Sequence, residues 1–188
     1  GIYYSGNASG TARLNECSRN EQAGIWVADQ AQVTLEENTC STNELGLAFS
    51  GNTISVAQKN VSSNNVTVGI VLMDQAESVL EQNKCTNNQV GISFMDSAKG
   101  TARGNQCSGN EIGIAIVGQS QPLLEGNITT ENSKDGIRYG EKAGGIARQN
   151  DCSRNSSSGI QVLDQSQPEL EQNTCNDNLS GITYGGSA

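Results

Sequence analysis

The side chains able to do chemistry in this sequence are few, and they recur at a fixed interval. Six cysteines, Cys17, Cys40, Cys85, Cys107, Cys152 and Cys175, sit at one phase of a unit 22 or 23 residues long, and two further copies of the unit put Ser62 and Thr129 there. A slot that takes Cys, Ser or Thr asks for a small, weakly polar side chain, not for a thiol as such. No CxxC pair of the kind that makes zinc sites occurs, so neither a metal nor a cofactor is expected. If neighbouring copies stack as strands, Cys17 and Cys40 have Cα atoms ~4.8 Å apart, inside the disulfide range. Parallel side-chain directions leave their Cβ atoms farther apart than a relaxed disulfide prefers. Buried free thiols are the expectation, and they favour a reducing compartment.

The chain has no histidine, which removes Ser-His and Cys-His nucleophile pairs and any imidazole acid or base. Carboxylates remain. Counted from the glycine that opens each copy, position 6 carries Asp29, Asp74, Asp96, Glu141 and Asp164, and Gly6, Gly51 and Gly118 share it in the other copies. Asp74 and Asp96 fall on adjacent copies, so their carboxyl groups could approach to ~5 Å, a separation used by retaining glycosidases and by calcium sites. They are the candidate catalytic residues. A corner that simply accepts Asp or Gly is the plainer account of the same column.

The unit itself is clearest in Gly24 to Leu45, which returns from Gly69 and Gly159 and, more loosely, from Gly113. Alternate copies start at Gly1, Gly46, Gly91 and Gly136, and a partial one starts at Gly181. A repeat this short cannot bury a core alone and must be one turn of a solenoid. Residues 1–188 are therefore expected to form a single domain of about eight rungs. Position 2 is Ile or Leu and position 4 is large and apolar, with variable residues between, which is the alternation of a strand. Short strands are expected at positions 2–5, 10–13 and 16–18, and no segment carries a competing helical period. Positions 15 and 20 are always asparagine, from Asn15 to Asn173 and from Asn20 to Asn178. Asparagine tolerates left-handed backbone and can bond amide to amide in a ladder, so both columns are expected at corners.

Two rungs make the true period. Position 4 is aromatic in odd rungs (Tyr4, Phe49, Phe94, Tyr139, Tyr184), where position 12 is Ala (Ala12, Ala57, Ala102, Ala147). Even rungs pair an aliphatic position 4 with Leu35, Leu80, Leu124 and Leu170. Large faces small, which keeps core volume level along the axis. Position 13 alternates Glu81, Arg103, Glu125, Arg148 and Glu171, so these charges should pair with one another across strands.

The repeat glycines, the GI strands and the asparagine corners resemble the right-handed parallel β-helix repeat family over the whole chain. The resemblance implies a right-handed, single-stranded, all-β coil. It also implies a range of activities, since that family includes polysaccharide lyases, hydrolases and epimerases as well as non-catalytic modules. The lack of histidine departs from its polygalacturonase-like hydrolases and its alginate epimerases, whose active sites include one.

Composition narrows the partners. Only 34% of residues are hydrophobic and 4% aromatic, and mean hydropathy is −0.48, low for a globular core but enough for a thin periodic one. A net charge of −9 argues against nucleic acid or an anionic membrane surface. No apolar run reaches membrane-span length and no signal peptide is legible, although the chain opens inside a repeat, which leaves room for a removed leader. The sequons at Asn60, Asn65, Asn127, Asn155 and Asn178 fall on ladder asparagines, so a bacterial or cytoplasmic origin fits better than a eukaryotic secretory one. The bare strand at Gly1 and the partial last rung suggest a fragment of a longer protein, or end-to-end self-association.

Positions 3 and 5 of the first strand should face solvent, yet Val71, Met73, Met95 and Val117 are apolar there, with Trp26 and Leu163 nearby. Such a strip usually marks a contact. The expected function is a non-catalytic scaffold or binding module for a protein or polysaccharide partner. The alternatives are a polysaccharide-active enzyme using Asp74 and Asp96, which uniform rungs without cleft-building loops disfavour, and a purely structural spacer.

Overall fold

The computed structural model describes residues 1–186, leaving the last two residues of the partial rung outside the description. Among the described residues every strand pairing is parallel and joins one rung to the next. Three sheets result, of nine, eight and five strands. The first runs from Ile2–Tyr4 to Ser180–Gly185, the second from Ser9–Arg13 to Glu169–Glu171, and the third from Glu16–Ser18 to Gln106–Ser108. Single bridges, Gln106 to Ile128 to Asp151 to Thr174, continue the third ladder over the later rungs. This is the expected parallel β-helix with three short strands per rung. No helix among the described residues is long and apolar enough to cross a membrane.

The core is built as the two-rung period requires. Leu80 lies in register between Ala57 and Ala102, and Leu72 between Phe49 and Phe94. All six are fully buried. Tyr139 takes the aromatic place one period later and is also fully buried, while Tyr184, in the last described rung, is 71% exposed. The position-13 charges pair as expected: Arg13 with Glu36 at 3.3 Å, Arg103 with Glu125 at 2.7 Å, and Arg148 with the same Glu125 at 2.7 Å.

Two features differ from the simple strand pattern. First, first-sheet strands such as Ala23–Val27 and Val68–Leu72 start one residue before the repeat glycine and stop at position 4. The alternation breaks at that glycine, because both it and the following Ile face the core. A methyl group on Gly24 would lie 2.8 Å from Cβ and Sγ of Cys40 and 2.8 Å from the Gly46 carbonyl oxygen. The glycine column is thus fixed by close approach to the position-17 side chain and to the next rung. Its consequence is that the residue before the glycine, and position 3 after it, both stand on the outer face.

Second, the left-handed residues at these corners are not the ladder asparagines. They are the residues just before them, such as Glu37 (φ 54°), Gln82 (53°), Asn87 (56°) and Arg154 (57°). The asparagines are held by the ladder instead. Along the middle of each column Oδ1 accepts both the backbone N–H and an Nδ2–H of the asparagine one rung earlier, as Asn83 does from Asn60 at 2.9 and 3.0 Å. The remaining Nδ2–H donates to a backbone carbonyl of the preceding rung, that of Ala57 for Asn83 and that of Cys85 for Asn110. Every buried polar atom of the amide is used. Asn60, Asn65, Asn127 and Asn155, four of the five ladder asparagines that lie in sequons, are buried by this arrangement.

Candidate binding face

The outer face of the first sheet carries the apolar strip, but in a different form from an open column. Trp26, Ala48, Val71, Ser93 and Ala115 align along it at position 3. Ala48 has no exposure and Val71 only 1%, so Val71 is not a contact residue in its own right. Ala23, Ala48 and Val71 form a small second cluster on this face, and Trp26, Leu45, Val68 and Met73 pack against it. Leu45 and Val68 come from the position before the glycine, which the alternation pattern alone sends inward; the break at the glycine turns them out to cover Val71. The change of phase could have been found from the apolar run Ala23, Leu45, Val68, Val90, Ile112 in that column.

Of the six candidate contact residues, Met95 is the exposed one, at 36%, and Trp26, Met73, Val117 and Leu163 are half-buried. Trp26 is fixed by an N–H donated to Ser50 Oγ at 2.9 Å and by an edge-on contact with the Tyr3 ring, centroids 6.3 Å apart. The same columns turn polar farther along. Asp135, fully buried, takes the place of the aliphatic residues before the glycine, and Arg138 takes position 3. Arg138 Nε donates to Asp135 Oδ2 at 2.7 Å and the Ser158 N–H donates to Oδ1 at 3.0 Å, so the buried carboxylate is paired and hydrogen-bonded.

The corner carboxylates are occupied. Asp29, Asp74, Asp96, Glu141 and Asp164 all have left-handed backbone, at φ 56–63°. Asp74 accepts the Gly51 N–H at 2.8 Å, and Asp96 accepts the Asp74 N–H at 3.1 Å. The four aspartate carboxylates, Asp29, Asp74, Asp96 and Asp164, each tether the backbone of the rung before. Past Asp96 the row is interrupted by Gly118, and an open depression of about 650 Å³ is lined by Asp96, Gln119, Glu141, Lys142, Asp164 and Gln165. Among the described residues no group of three or more His, Cys, Asp or Glu side chains is placed to hold a metal ion.

The six cysteines are free, and five are buried, with Cys175 partly exposed. They stack in register as Cys17 with Cys40 and Cys85 with Cys107. Burial, with Cys17 beside it, pushes the Cys40 thiol far above its ordinary range. A hydrogen bond with Cys85, then burial, does the same for Cys107. Cys40 and Cys107 are therefore protonated thiols filling the slot that Ser62 and Thr129 also fill, whereas a hydrogen bond with Cys152 lowers the partly exposed Cys175.

Residues 1–127 match the family described as "Right handed beta helix region", and residues 92–188 match that described as "Periplasmic copper-binding protein (NosD)". None of the curated proteins matches the chain. Among solved structures, the A-module of the mannuronan C-5 epimerase AlgE4 of Azotobacter vinelandii superposes with a TM-score of 0.68 at 17% identity. The match covers 94% of this chain and 59% of that module, so this chain spans well under two thirds of the epimerase module's length. At that identity the likeness is one of fold.

Proposed function

The chain belongs to the right-handed β-helix family, with its C-terminal half in the NosD family, and on that premise we propose that it is a non-catalytic module presenting the outer face of its first sheet to a protein partner. The observation that carries this is the apolar cluster around Val71, built on the solvent side of a sheet whose inner side already supplies a complete core. The other repeated columns have structural work: the asparagines bond one another, the corner carboxylates tether backbone, the position-13 charges pair. An aromatic and two adaptable methionines around a small apolar centre is the composition of a protein contact. Replacing Met73 and Met95 together with Ser should weaken partner capture at least about tenfold while moving the melting temperature little. Capture unchanged by that double substitution rejects the assignment.

A polysaccharide is the second reading. It is favoured by the depression bordered by Asp96, Gln119, Glu141, Lys142 and Gln165, which offers hydroxyl acceptors and donors beside the apolar face. The neighbouring fold belongs to an enzyme named for mannuronan. A glycan array probed with the intact chain separates the two: specific retention of a polysaccharide, lost on Glu141→Gln, favours the sugar.

Copper is attached to the NosD family by its description. The donors in this chain do not suit a three- or four-ligand Cu(II) centre, for there is no histidine and no cluster of three ligands among the described residues. The thiols of the middle rungs are sealed in the core. The soft donors that reach the surface there are thioethers.

A further inference from the structure

The outer face of the second sheet carries a pattern that complements its own reversal. Position 11 supplies the centre: Thr34, Val56, Val79, Thr101, Leu123 and Ile146 stand in register and are half-buried. The alternating charges of position 13 run along one side, and position 9 borders the other, with Glu77 in register with Lys99. Acids and bases are interleaved here, although the chain as a whole carries −9.

The sheet has eight strands, so its midline falls between Glu77–Glu81 and Lys99–Arg103. A two-fold axis along that midline, parallel to the strands, lays a second copy on this face with its coil axis reversed. Position 13 then sets Glu81 against Arg103, Glu36 against Arg148, Arg13 against Glu171 and Gln58 against Glu125. At position 9 Glu77 meets Lys99, and at position 11 Val56 meets Leu123 and Thr34 meets Ile146. A slip of one rung either way sets Glu125 against Glu81 or against Glu36, like on like. A slip of two rungs gives up overlap and the Glu77–Lys99 contacts.

Pairs inside the chain leave room for these contacts. Arg103 lies 3.5 Å from Glu81 and 2.7 Å from Glu125 of its own chain, yet 52% of its side chain is exposed. A guanidinium has five N–H donors, so it can take a carboxylate of the other copy as well. Glu77 and Lys99 are exposed and make no ion pair among the described residues. Strands ~4.8 Å apart and five residues at ~3.3 Å each make this face about 600 Å² per copy, so the pair buries ~1,200 Å², the low end for a specific interface.

We propose that two copies of the chain pack side by side through the outer faces of their second sheets, with coil axes antiparallel. This goes beyond the docking assignment and uses a different face, so either can fail without the other.

Sedimentation velocity on the full chain, from about 1 to 200 μM, should show monomer passing to dimer and nothing larger. Glu77→Lys sets cation against cation across the axis, and Lys99→Glu sets anion against anion. Each should weaken dimerisation about tenfold or more while melting much as the parent does. Mixed in equal amounts, the two variants should regain the parent's dimer, because each acid then meets a base, and only across the interface. Contacts inside one chain cannot give that recovery, since the like charges remain there. A monomer throughout, assembly past a dimer, single variants that dimerise as the parent does, or a mixture no tighter than either variant alone would each overturn the proposal.

Discussion

Asn83→Ala is the sharpest perturbation of the coil itself. Asn83 is 1% exposed and its side chain makes four hydrogen bonds. Its Oδ1 accepts the Asn60 N–H at 2.9 Å and an Asn60 Nδ2–H at 3.0 Å, and its Nδ2 donates to Ala57 O at 2.8 Å and to Asn105 Oδ1 at 3.0 Å. Alanine leaves two buried backbone groups, the Asn60 N–H and the Ala57 carbonyl, without these partners. Each such group costs ~1–3 kcal/mol, so the expected loss is about 2–6 kcal/mol. Asn15, half-buried, is a control, for among the described contacts its Oδ1 accepts nothing and Asn38 Oδ1 keeps the Asn15 N–H after truncation; Asn15→Ala should cost ~1 kcal/mol. Urea unfolding followed by far-ultraviolet circular dichroism and Trp26 fluorescence gives both values where the two probes coincide. A loss under about 1 kcal/mol for Asn83→Ala would mean that water replaces the amide freely and that the ladder is not a main source of stability.

Other substitutions follow from the same packing. Leu80→Ala empties a fully buried place between Ala57 and Ala102 and should cost ~2–5 kcal/mol, with unchanged stability putting position 12 outside the core. Tyr139→Phe should stabilise by about 1 kcal/mol, because the buried hydroxyl has no partner among the described residues; a clear destabilisation would reveal an unseen bond. Glu125 is held below the ordinary carboxylate range by its hydrogen bond with Arg103 and then by Arg148. Its contribution is present above the unfolded pKa and lost as pH falls from about 5 through the lower folded value, so Glu125→Gln should flatten the acid limb of the stability profile. A parallel acid limb in the variant would remove Glu125 from that role.

The coil was legible because its determinants are local and repeated. Ile at position 2, Leu80 opposite Ala57 and the two asparagine columns each announce their place by recurrence. What escaped was a change of phase at the repeat glycine, signalled only by the apolar column before it, Ala23, Leu45, Val68, Val90 and Ile112. Gly24 is needed because, besides Cys40 of its own rung, the Gly46 carbonyl oxygen of the next rung stands 2.8 Å from where its Cβ would be. That distance belongs to the stacked structure and is invisible in one rung. It reverses the facing of Leu45 and Val68, which close over Val71. Likewise Asp74 looked like half of a carboxylate pair, and only the stacked corner shows its oxygen taken by the Gly51 N–H. The apolar outer strip was legible by column, then, and its packing was fixed by neighbours one rung away.

The central claim is that partners meet this protein on the outer face of the first sheet, and methionine chemistry tests it directly. Photo-methionine incorporation places a crosslinkable group at Met73 and Met95 and nowhere else in this sequence. Illumination in an extract of the source cells should give one dominant, saturable protein adduct, reduced by unlabelled chain but not by unlabelled chain carrying Ser at both positions. Adducts only within the chain, or a partner captured equally in the presence of either competitor, would contradict the account.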